Sequence, residues 1–370
     1  MSPANGSDSF CRVGSVLLLI PHLSKGGAER QFSMLAQGLA VAGWQVHVGY
    51  WHKAGAEDRK WIHPNLHLHH LTGRSAKDPL LAFQIFRLVA VLRPVLIHTW
   101  MRQMDLIGGL FSLIFGIPWV IAERSSGPNY LHWRDRWRRL LGSLAYAVVA
   151  NSRSGANYWR LESASPPIVV IPNGVRVSEI QEASLENFPK DIPVVVSVGR
   201  LIESKRPIEM VESLADDLRA NHFRLVLIGE GPLLNDLQRT CDRLDLTAAV
   251  LLLGNLPEIE VWSWLRRADV FVSLSKYEGQ PNAVMEAMAA SCSLVISDIP
   301  EHRAFVSSDE ALFVDNRSLS AAIASVITDP IKRNSLVVCA KSKIERYSVA
   351  EMVTAYDRLY RQIVLICRRS

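Results

Sequence analysis

The sequence predicts an α/β fold in which parallel sheets, covered by helices on both faces, are divided between two domains. Short apolar runs alternate with helical periodicity along the chain, and continuous Val/Ile/Leu runs are typical of parallel strands buried on both faces. The length of 370 residues exceeds what one hydrophobic core usually supports. The alternation pauses after Pro172 and resumes at Val194, which predicts one domain on each side.

The apolar runs give the expected strands, and the helical periodicity gives the helices between them. In the first helix Phe32 and Leu39 lie on one face and Gly43 stands where a C-terminal cap belongs. A last helix is predicted over 349–365. The predicted strands are 16–20, 46–50, 95–98, 119–122, 147–150, 168–171, 194–198, 225–228, 250–253, 270–274, 294–297 and 311–314.

These elements predict the domain boundaries. Residues 1–13 are polar and expected to be disordered. The stretch 106–122 is apolar, but glycines and Pro118 interrupt it, so a helix followed by a strand is expected rather than a membrane span. The remaining ranges are a first domain at 14–175, a linker at 176–192, a second domain at 193–347, and a helix at 348–370 that packs back on the first domain.

Composition excludes several classes of protein. Hydrophobic residues make up 49% and charged residues 21%, which is a globular balance. Five cysteines without a C-x-x-C pair predict neither a disulfide framework nor a zinc site, and favour a reducing, cytoplasmic setting. No Asp-x-Asp motif is present, so no metal and no cofactor is expected. The net charge of +5 is too mild to indicate nucleic-acid binding.

The most informative segment is 273–289, which follows a predicted strand. Glu278 and Gln280 lie on a loop, Pro281 ends it, and a helix is expected to begin near Asn282. The unpaired N–H groups at that helix end favour an anion such as a phosphate. Glu286 lies in the first turns of this helix, so both acids can face one pocket.

Two further loops carry glycine beside charge. Gly199, Arg200 and Lys205 follow the strand at 194–198, and two cations there can stabilise one diphosphate. Gly26 and Gly27 open the first helix, where glycines suit either a tight turn or a cradle for a phosphate or sugar.

The segment 273–289 resembles the E-x7-E signature of retaining glycosyltransferases of family 4, and the resemblance extends over about 16–360. It implies the GT-B fold, with two facing Rossmann-like domains and a deep cleft between them. It also implies that Glu286 holds the nucleotide ribose, that Asn282 and Ala283 meet the outer phosphate, and that Glu278 contacts the donor sugar.

The same resemblance assigns the two glycine loops and the sugar pocket. Arg200 and Lys205 match the family's diphosphate clamp, although Arg206 replaces the glycine that commonly follows the lysine. Gly26 and Gly27 are implied to complete the diphosphate site from the first domain. Gln280 and Asn282 are expected to line the sugar pocket. The turns at 229–232 and 254–256 either shape the nucleobase pocket or are ordinary strand-to-helix turns.

The first domain is expected to bind the acceptor, and it departs from the family pattern. Many relatives carry a histidine that faces the donor sugar where this chain has Trp100, and His98 either packs at its strand end or serves the site. Arg124 contacts an anionic acceptor or the donor phosphate, or pairs with Glu123.

A basic amphipathic segment at 130–141 has two interpretations. It lies on an anionic membrane surface near a lipid-linked acceptor, or it packs its tryptophans into the domain with the arginines reaching solvent. The residues concerned are Trp133, Arg134, Trp137 and Arg138.

The resemblance implies a metal-independent hexosyltransferase that retains the anomeric configuration. The donor would be a UDP- or GDP-linked sugar and the acceptor a saccharide or lipid-linked hydroxyl, in cell-envelope, lipopolysaccharide or exopolysaccharide synthesis. A cytoplasmic enzyme, peripheral on the inner face of the membrane, fits that setting. The rival hypotheses are a nucleotide-sugar 2-epimerase on the same fold and a catalytically silent sugar-nucleotide-binding subunit.

Overall fold

The chain forms two compact units in a computed structural model that describes residues 14–23, 26–52, 61–73, 75, 78–124, 133–160, 166–184 and 192–368. The first unit comprises residues up to Ile171 together with Met352–Ser370, and the second comprises Pro172–Glu351. The C-terminal residues therefore return to the first unit. Residues 1–13, for which disorder was expected, lie outside the described part.

The first unit is built on a parallel sheet of seven strands within the described residues, in the order β3-β2-β1-β4-β5-β6-β7. Helices alternate with the strands. The elements are β1 (Ser15–His22), α1 (Gly27–Val41), β2 (Gln45–His52), β3 (Leu66–His70), α2 (Pro79–Leu92), β4 (Leu96–Trp100), α3 (Arg102–Phe115), β5 (Trp119–Glu123), α4 (Trp133–Gly142), β6 (Ala147–Ala150), α5 (Arg153–Arg160) and β7 (Ile168–Val170).

The second unit has a parallel sheet of six strands in its described residues, in the order β10-β9-β8-β11-β12-β13. A short 3-10 helix, Glu203–Lys205, follows β8, and another, Glu345–Tyr347, precedes the last helix. The other elements are α6 (Val177–Glu182), β8 (Val194–Val198), α7 (Pro207–Ser213), α8 (Ala215–Arg219), β9 (Arg224–Ile228), α9 (Leu234–Arg243), β10 (Val250–Leu252), α10 (Glu258–Arg267), β11 (Val270–Ser273), α11 (Asn282–Ala289), β12 (Ser293–Ser297), α12 (Pro300–Phe305), β13 (Ala311–Val314), α13 (Leu319–Thr328), α14 (Pro330–Ile344) and α15 (Val349–Cys367).

Strand order reverses at β1/β4 in the first sheet and at β8/β11 in the second. In open parallel sheets, ligands bind outside the carboxyl ends of strands at such a reversal. The two loops singled out in the second domain, after β8 and after β11, leave the sheet at this point. Their strands are neighbours, with Val270 paired to Val195.

The predicted strands and the last helix are confirmed, and 106–122 forms the end of α3 followed by β5. No helix among the described residues has the length and apolarity needed to cross a bilayer. One strand was missed: β3 lies at the edge of the first sheet. The linker prediction at 176–192 is wrong at its start, because α6 lies there and Ile180 is fully buried in the core of the second unit.

Candidate functional site

The loop after β8 is held by close backbone packing against two glycines of the turn after β9. A Cβ atom on Gly229 would lie 2.0 Å from the carbonyl oxygen of Gly199, and one on Gly231 would lie 2.3 Å from that of Leu201. Gly229 also has φ +141, a conformation that favours glycine. The N–H of Leu201 donates to the carbonyl of Glu230 at 2.9 Å. These glycines therefore fix the backbone that carries Arg200.

Arg200 is exposed, and its loop leads into the 3-10 helix that carries Lys205. Arg206 ends this helix in the left-handed conformation, with φ 52 and ψ 47. This conformation favours glycine, and the present chain adopts it with arginine. Pro207 then starts α7. A small pocket lies between this loop and β11, lined by Ser197, Val198, Gly199, Arg200, Leu201, Lys205, Pro207, Met210, Leu227, Ile228, Ser273 and Leu274.

Lys205 and Glu278 form an ion pair between the two loops. The side chain of Lys205 is 28% exposed and that of Glu278 13%. The Ser275 hydroxyl donates to Oε1 of Glu278 at 2.6 Å. The backbone N–H of Lys276 donates to the carbonyl of Ser204 at 2.8 Å, which joins the loops again. Glu278 is thus held in one place, with its charge balanced by Lys205.

A buried polar group behind Glu278 was missed by sequence analysis. The Ser297 hydroxyl donates to the Ser275 carbonyl at 2.7 Å, and the Nδ1–H of fully buried His302 donates to the Ser297 carbonyl at 2.8 Å. Nε2 of His302 has no hydrogen-bond partner in the described structure. Burial lowers the pKa of His302, while Glu278 opposes this shift and Lys205 adds to it. His302 is therefore neutral and lies within the electrostatic reach of the ion pair.

Helix α11 begins at Asn282 without a side-chain cap, because the preceding residue is Pro281. The first N–H groups of a helix lack intrahelical acceptors and carry the positive end of its dipole. Ala283 lies in this first turn. Glu286 lies one turn further and is 7% exposed, so it is a buried acid rather than a surface residue.

Asn173 is a second residue that sequence analysis missed as part of the site. Its backbone N–H donates to Oε1 of Gln280 at 2.7 Å, and its Nδ2 donates to Oδ1 of Asn282 at 2.7 Å. Asn173 is 3% exposed. Both side chains expected to line the sugar pocket are therefore positioned by Asn173.

In the first unit, Gly26 and Gly27 lie at the start of α1, and Gly26 provides no side-chain cap. A Cβ atom on Gly26 would lie 2.3 Å from Oε2 of Glu29, so the Glu29 carboxylate lies beside the start of α1. Nδ1 of His22 lies 2.8 Å from Oε1 of Glu29. The positive end of the helix dipole at this start favours an anion, and the Glu29 carboxylate already lies beside it.

Arg124 lies in an aromatic setting at the end of β5. Its Nη2 donates to the Tyr356 hydroxyl at 2.5 Å, and its guanidinium lies 4.0 Å from the ring centroid of Trp100. Trp100 is fully buried, as is His98, whose Nδ1 is 2.5 Å from the Tyr360 hydroxyl. Burial lowers the pKa of His98 well below its usual value, and Arg124 adds to this effect. The interpretation of His98 as a packed histidine fits this environment.

Both interpretations of the segment at 130–141 are wrong for Arg138, because each placed its guanidinium at the surface. Arg138 is 4% exposed; its Nε donates to Asp105 at 2.6 Å and its Nη1 to Glu123 at 2.7 Å. A cation between two buried carboxylates stays inside the domain, because separation would leave unpaired buried charge. Trp137, in contrast, is 58% exposed. The side chains of Trp133 and Arg134 lie outside the described structure.

Family models match both units of the chain. Residues 25–179 match the model described as Glycosyltransferase Family 4, and residues 179–343 match the model described as Glycosyl transferases group 1. The chain is a group 1, family 4 glycosyltransferase. It is therefore a transferase, and the predicted membership of family 4 is confirmed.

Two relatives of this glycosyltransferase have names that state a lipid or a lipid-linked substrate. One is the UDP-Gal:alpha-D-GlcNAc-diphosphoundecaprenol alpha-1,3-galactosyltransferase of Escherichia coli, 22% identical over 78% of this chain and 81% of that protein. Another is the phosphatidyl-myo-inositol mannosyltransferase of Mycolicibacterium smegmatis, 25% identical over 62% of this chain and 59% of that protein.

Solved structures confirm the GT-B fold of this family 4 glycosyltransferase. Anabaena HepE in complex with UDP and glucose has a TM-score of 0.81 at 18% identity, covering 94% of this chain and all of that chain. Sucrose-phosphate synthase from Thermosynechococcus elongatus has a TM-score of 0.83 at 21% identity, covering 95% and 99%.

Proposed function

We propose that this glycosyltransferase moves a hexose from a UDP- or GDP-linked donor to the hydroxyl of a saccharide or lipid-linked acceptor, with retention of configuration. The observation that carries the proposal is the Lys205–Glu278 ion pair between the loops after β8 and β11, beside the uncapped start of α11. A diphosphate needs fixed cations and open amides, and a sugar needs fixed hydrogen-bonding side chains. The second unit places both at one edge of its sheet.

In this mechanism Arg200, Lys205 and the first amides of α11 stabilise charge on the departing diphosphate. Glu286 holds the ribose, and Glu278 with Gln280 orients the sugar. The acceptor oxygen bonds to the anomeric carbon on the face from which the phosphate oxygen leaves. That phosphate oxygen takes the acceptor proton, so no separate protein base is needed.

The chain's own charges would replace a metal in this step. Among the described residues, no three His, Cys, Asp or Glu side chains are grouped so that they could hold a metal ion. We propose a metal-independent transfer without a cofactor, in which Arg200, Lys205 and the α11 amides supply the positive charge. On the first-unit side, the α1 amides beside Gly26 and Gly27 would meet the diphosphate, and Arg124 would meet an anionic acceptor or phosphate.

The setting we propose is cell-envelope or exopolysaccharide synthesis on the inner face of the cytoplasmic membrane. Support comes from relatives: the names of the Escherichia coli and Campylobacter jejuni enzymes state diphosphoundecaprenol-linked acceptors. HepE, with its bound UDP and glucose, supports a UDP-linked sugar as the first donor to test.

Product analysis by NMR tests the proposal. The purified chain is incubated with a nucleotide sugar, selected by thermal shift, with and without a lipid-diphosphate-linked saccharide. We expect an α-linked product from an α-linked donor, without added metal. An inverted product would contradict retention. Conversion of the donor without acceptor would identify a 2-epimerase, and binding without any turnover would identify a silent subunit.

A further inference from the structure

Three neighbouring helices of the first unit, α2, α3 and α4, expose large apolar side chains. On α2 the Phe83 side chain is 59% exposed, and on α3 the Ile114 side chain is 60% exposed. Burying such side chains against water is favourable, so a single domain seldom leaves so many together. The full set is Leu80, Phe83, Phe86, Val91, Leu110, Leu113, Ile114, Trp137, Leu140 and Leu144, exposed by 37 to 72%.

These side chains lie on helices that pack side by side, α2 on α3 and α3 on α4, and their shared surface is here called the α2–α4 face. The Phe86 ring on α2 lies 5.7 Å from Phe111 and 5.3 Å from Phe115 of α3. Leu113 at the end of α3 and Leu144 after α4 line the same surface depression. The apolar stripes of three helices therefore meet side by side.

Among the described residues of α2, α3 and α4, the exposed charged side chains are basic. In the sequences of the three helices the acids are Asp105 and Asp135, and both are buried, Asp105 against Arg138 and Asp135 against Arg102. A third acid, Asp78, precedes α2 and caps it by accepting from the Leu80 N–H at 2.9 Å. Arg87 and Arg136 are exposed on this face. Basic side chains around exposed apolar ones are complementary to an anionic lipid surface.

We propose that the α2–α4 face binds the surface of an anionic lipid bilayer. Its phenylalanine, isoleucine and tryptophan side chains enter the headgroup boundary, and its arginines contact lipid phosphates. The sequence placed a candidate membrane contact on the segment at 130–141 alone. Because Arg138 of that segment is buried, we propose the wider α2–α4 face instead. The inference extends the proposed function, because it would bring the first unit to the layer that holds a lipid-linked acceptor.

Co-sedimentation with vesicles of mixed phosphatidylglycerol and phosphatidylcholine, compared with phosphatidylcholine alone, tests the proposal without donor or acceptor. We expect binding to the anionic vesicles that weakens with added salt. The double variant Phe83→Ser, Ile114→Ser should lower the affinity roughly tenfold or more. Arg87→Gln and Arg136→Gln should each lower it about fivefold.

Matched controls lie in the second unit. Ile259 and Val338 are each 65% exposed, and Ile259→Ser with Val338→Ser should leave vesicle binding unchanged. Arg239→Gln and Arg243→Gln control for charge. Failure of the wild type to bind anionic vesicles would overturn the proposal, as would equal loss in the controls. So would a mass corresponding to a dimer that Phe83→Ser, Ile114→Ser abolishes, because the face would then pair two copies.

Turnover with a water-soluble acceptor analogue, measured on the same variants, separates this inference from the proposed function. Vesicle binding lost with soluble turnover intact supports the α2–α4 face. A wild type that transfers sugar but does not bind vesicles overturns the proposal that the α2–α4 face binds a bilayer, and leaves the transferase proposal standing. A wild type that binds vesicles but transfers no sugar overturns the transferase proposal and leaves membrane binding by the α2–α4 face standing.

Discussion

The Nδ2 of Asn173 donates to Oδ1 of Asn282 at 2.7 Å, which links the start of the second unit to the first residue of α11. The bond fixes the Asn282 carboxamide beside the helix amides that we propose receive the phosphate. Because Asn173 is buried, water cannot readily replace the bond.

Asn173→Ala should therefore weaken donor binding about fivefold, since one buried hydrogen bond contributes about 1 kcal/mol. Its backbone bond to Gln280 is retained, so the effect should fall on affinity more than on folding. Titration calorimetry with the donor measures it. Asn235→Ala, at an exposed position on α9, is the control. Equal affinities of the wild type, Asn173→Ala and Asn235→Ala would show that Asn173 does not contribute to donor binding.

Glu278→Gln should lower kcat about 100-fold or more, because removing a preorganised charged group from an active site typically costs that much. The chain provides a matched control. Glu310 pairs with Lys343 in the same unit, with exposures of 13% and 27% against 13% and 28% for Glu278 and Lys205. Steady-state kinetics of Glu310→Gln should be those of the wild type. Similar losses in both variants would mean that Glu278 acts through stability alone.

Arg206→Gly should stabilise the second unit by about 0.5 to 1 kcal/mol relative to Arg206→Ala. Residue 206 has φ 52, where a Cβ atom costs about 1 to 2 kcal/mol and glycine has no such cost, although glycine gains more entropy on unfolding. Thermal unfolding of the two variants is the comparison. An alanine variant more stable than the glycine variant would contradict the assigned turn.

Asp105 should make the first unit more stable in mild acid. Burial raises the pKa of Asp105 to about 6, although Arg138 and the Thr99 hydroxyl act in the opposite direction. In the unfolded chain the pKa of an aspartate is about 4. Between these two pKa values the folded state binds the proton more tightly than the unfolded state does. The stability that Asp105 contributes is therefore lost as pH rises through about 6.

Relative to Asp105→Asn, which cannot titrate, wild-type stability should therefore fall by roughly 3 kcal/mol from about pH 4 to about pH 7. Urea unfolding followed by tryptophan fluorescence suits this test, since eight of the ten tryptophans belong to the first unit. Parallel pH profiles for the two proteins would show that Asp105 stays ionised throughout.

Most of the fold followed from the sequence because buried parallel strands are continuous apolar runs. The run at 194–198, for example, became β8 with unchanged bounds. Strand β3 was missed because it has no continuous apolar run. It is an edge strand whose sequence, Leu-His-Leu-His-His, mixes apolar residues with partly exposed histidines, and Nε2 of His69 lies 2.9 Å from Nδ1 of His47 on β2.

The candidate site was predicted where a motif names its residues, and missed where burial decides the role. The motifs assigned Lys205 to the diphosphate and Glu278 to the sugar of one donor, and the two side chains form an ion pair. Arg138 looked like a surface residue because helical periodicity counts arginine as polar. Its burial depends on Asp105 and Glu123, which are distant in sequence. Asn173 and His302 carried no motif, and only tertiary contacts connect them with the site.

The central claim is that Arg200 and Lys205 bind the diphosphate of the donor. The most direct measurement is calorimetric titration of UDP, or of GDP if thermal shift selects it, into wild type, Arg200→Met, Lys205→Met and the matched control Lys343→Met. We expect affinity lowered roughly tenfold or more in Arg200→Met and in Lys205→Met, as for the loss of a charged hydrogen bond, and unchanged in Lys343→Met. Wild-type affinity in both Arg200→Met and Lys205→Met would contradict it.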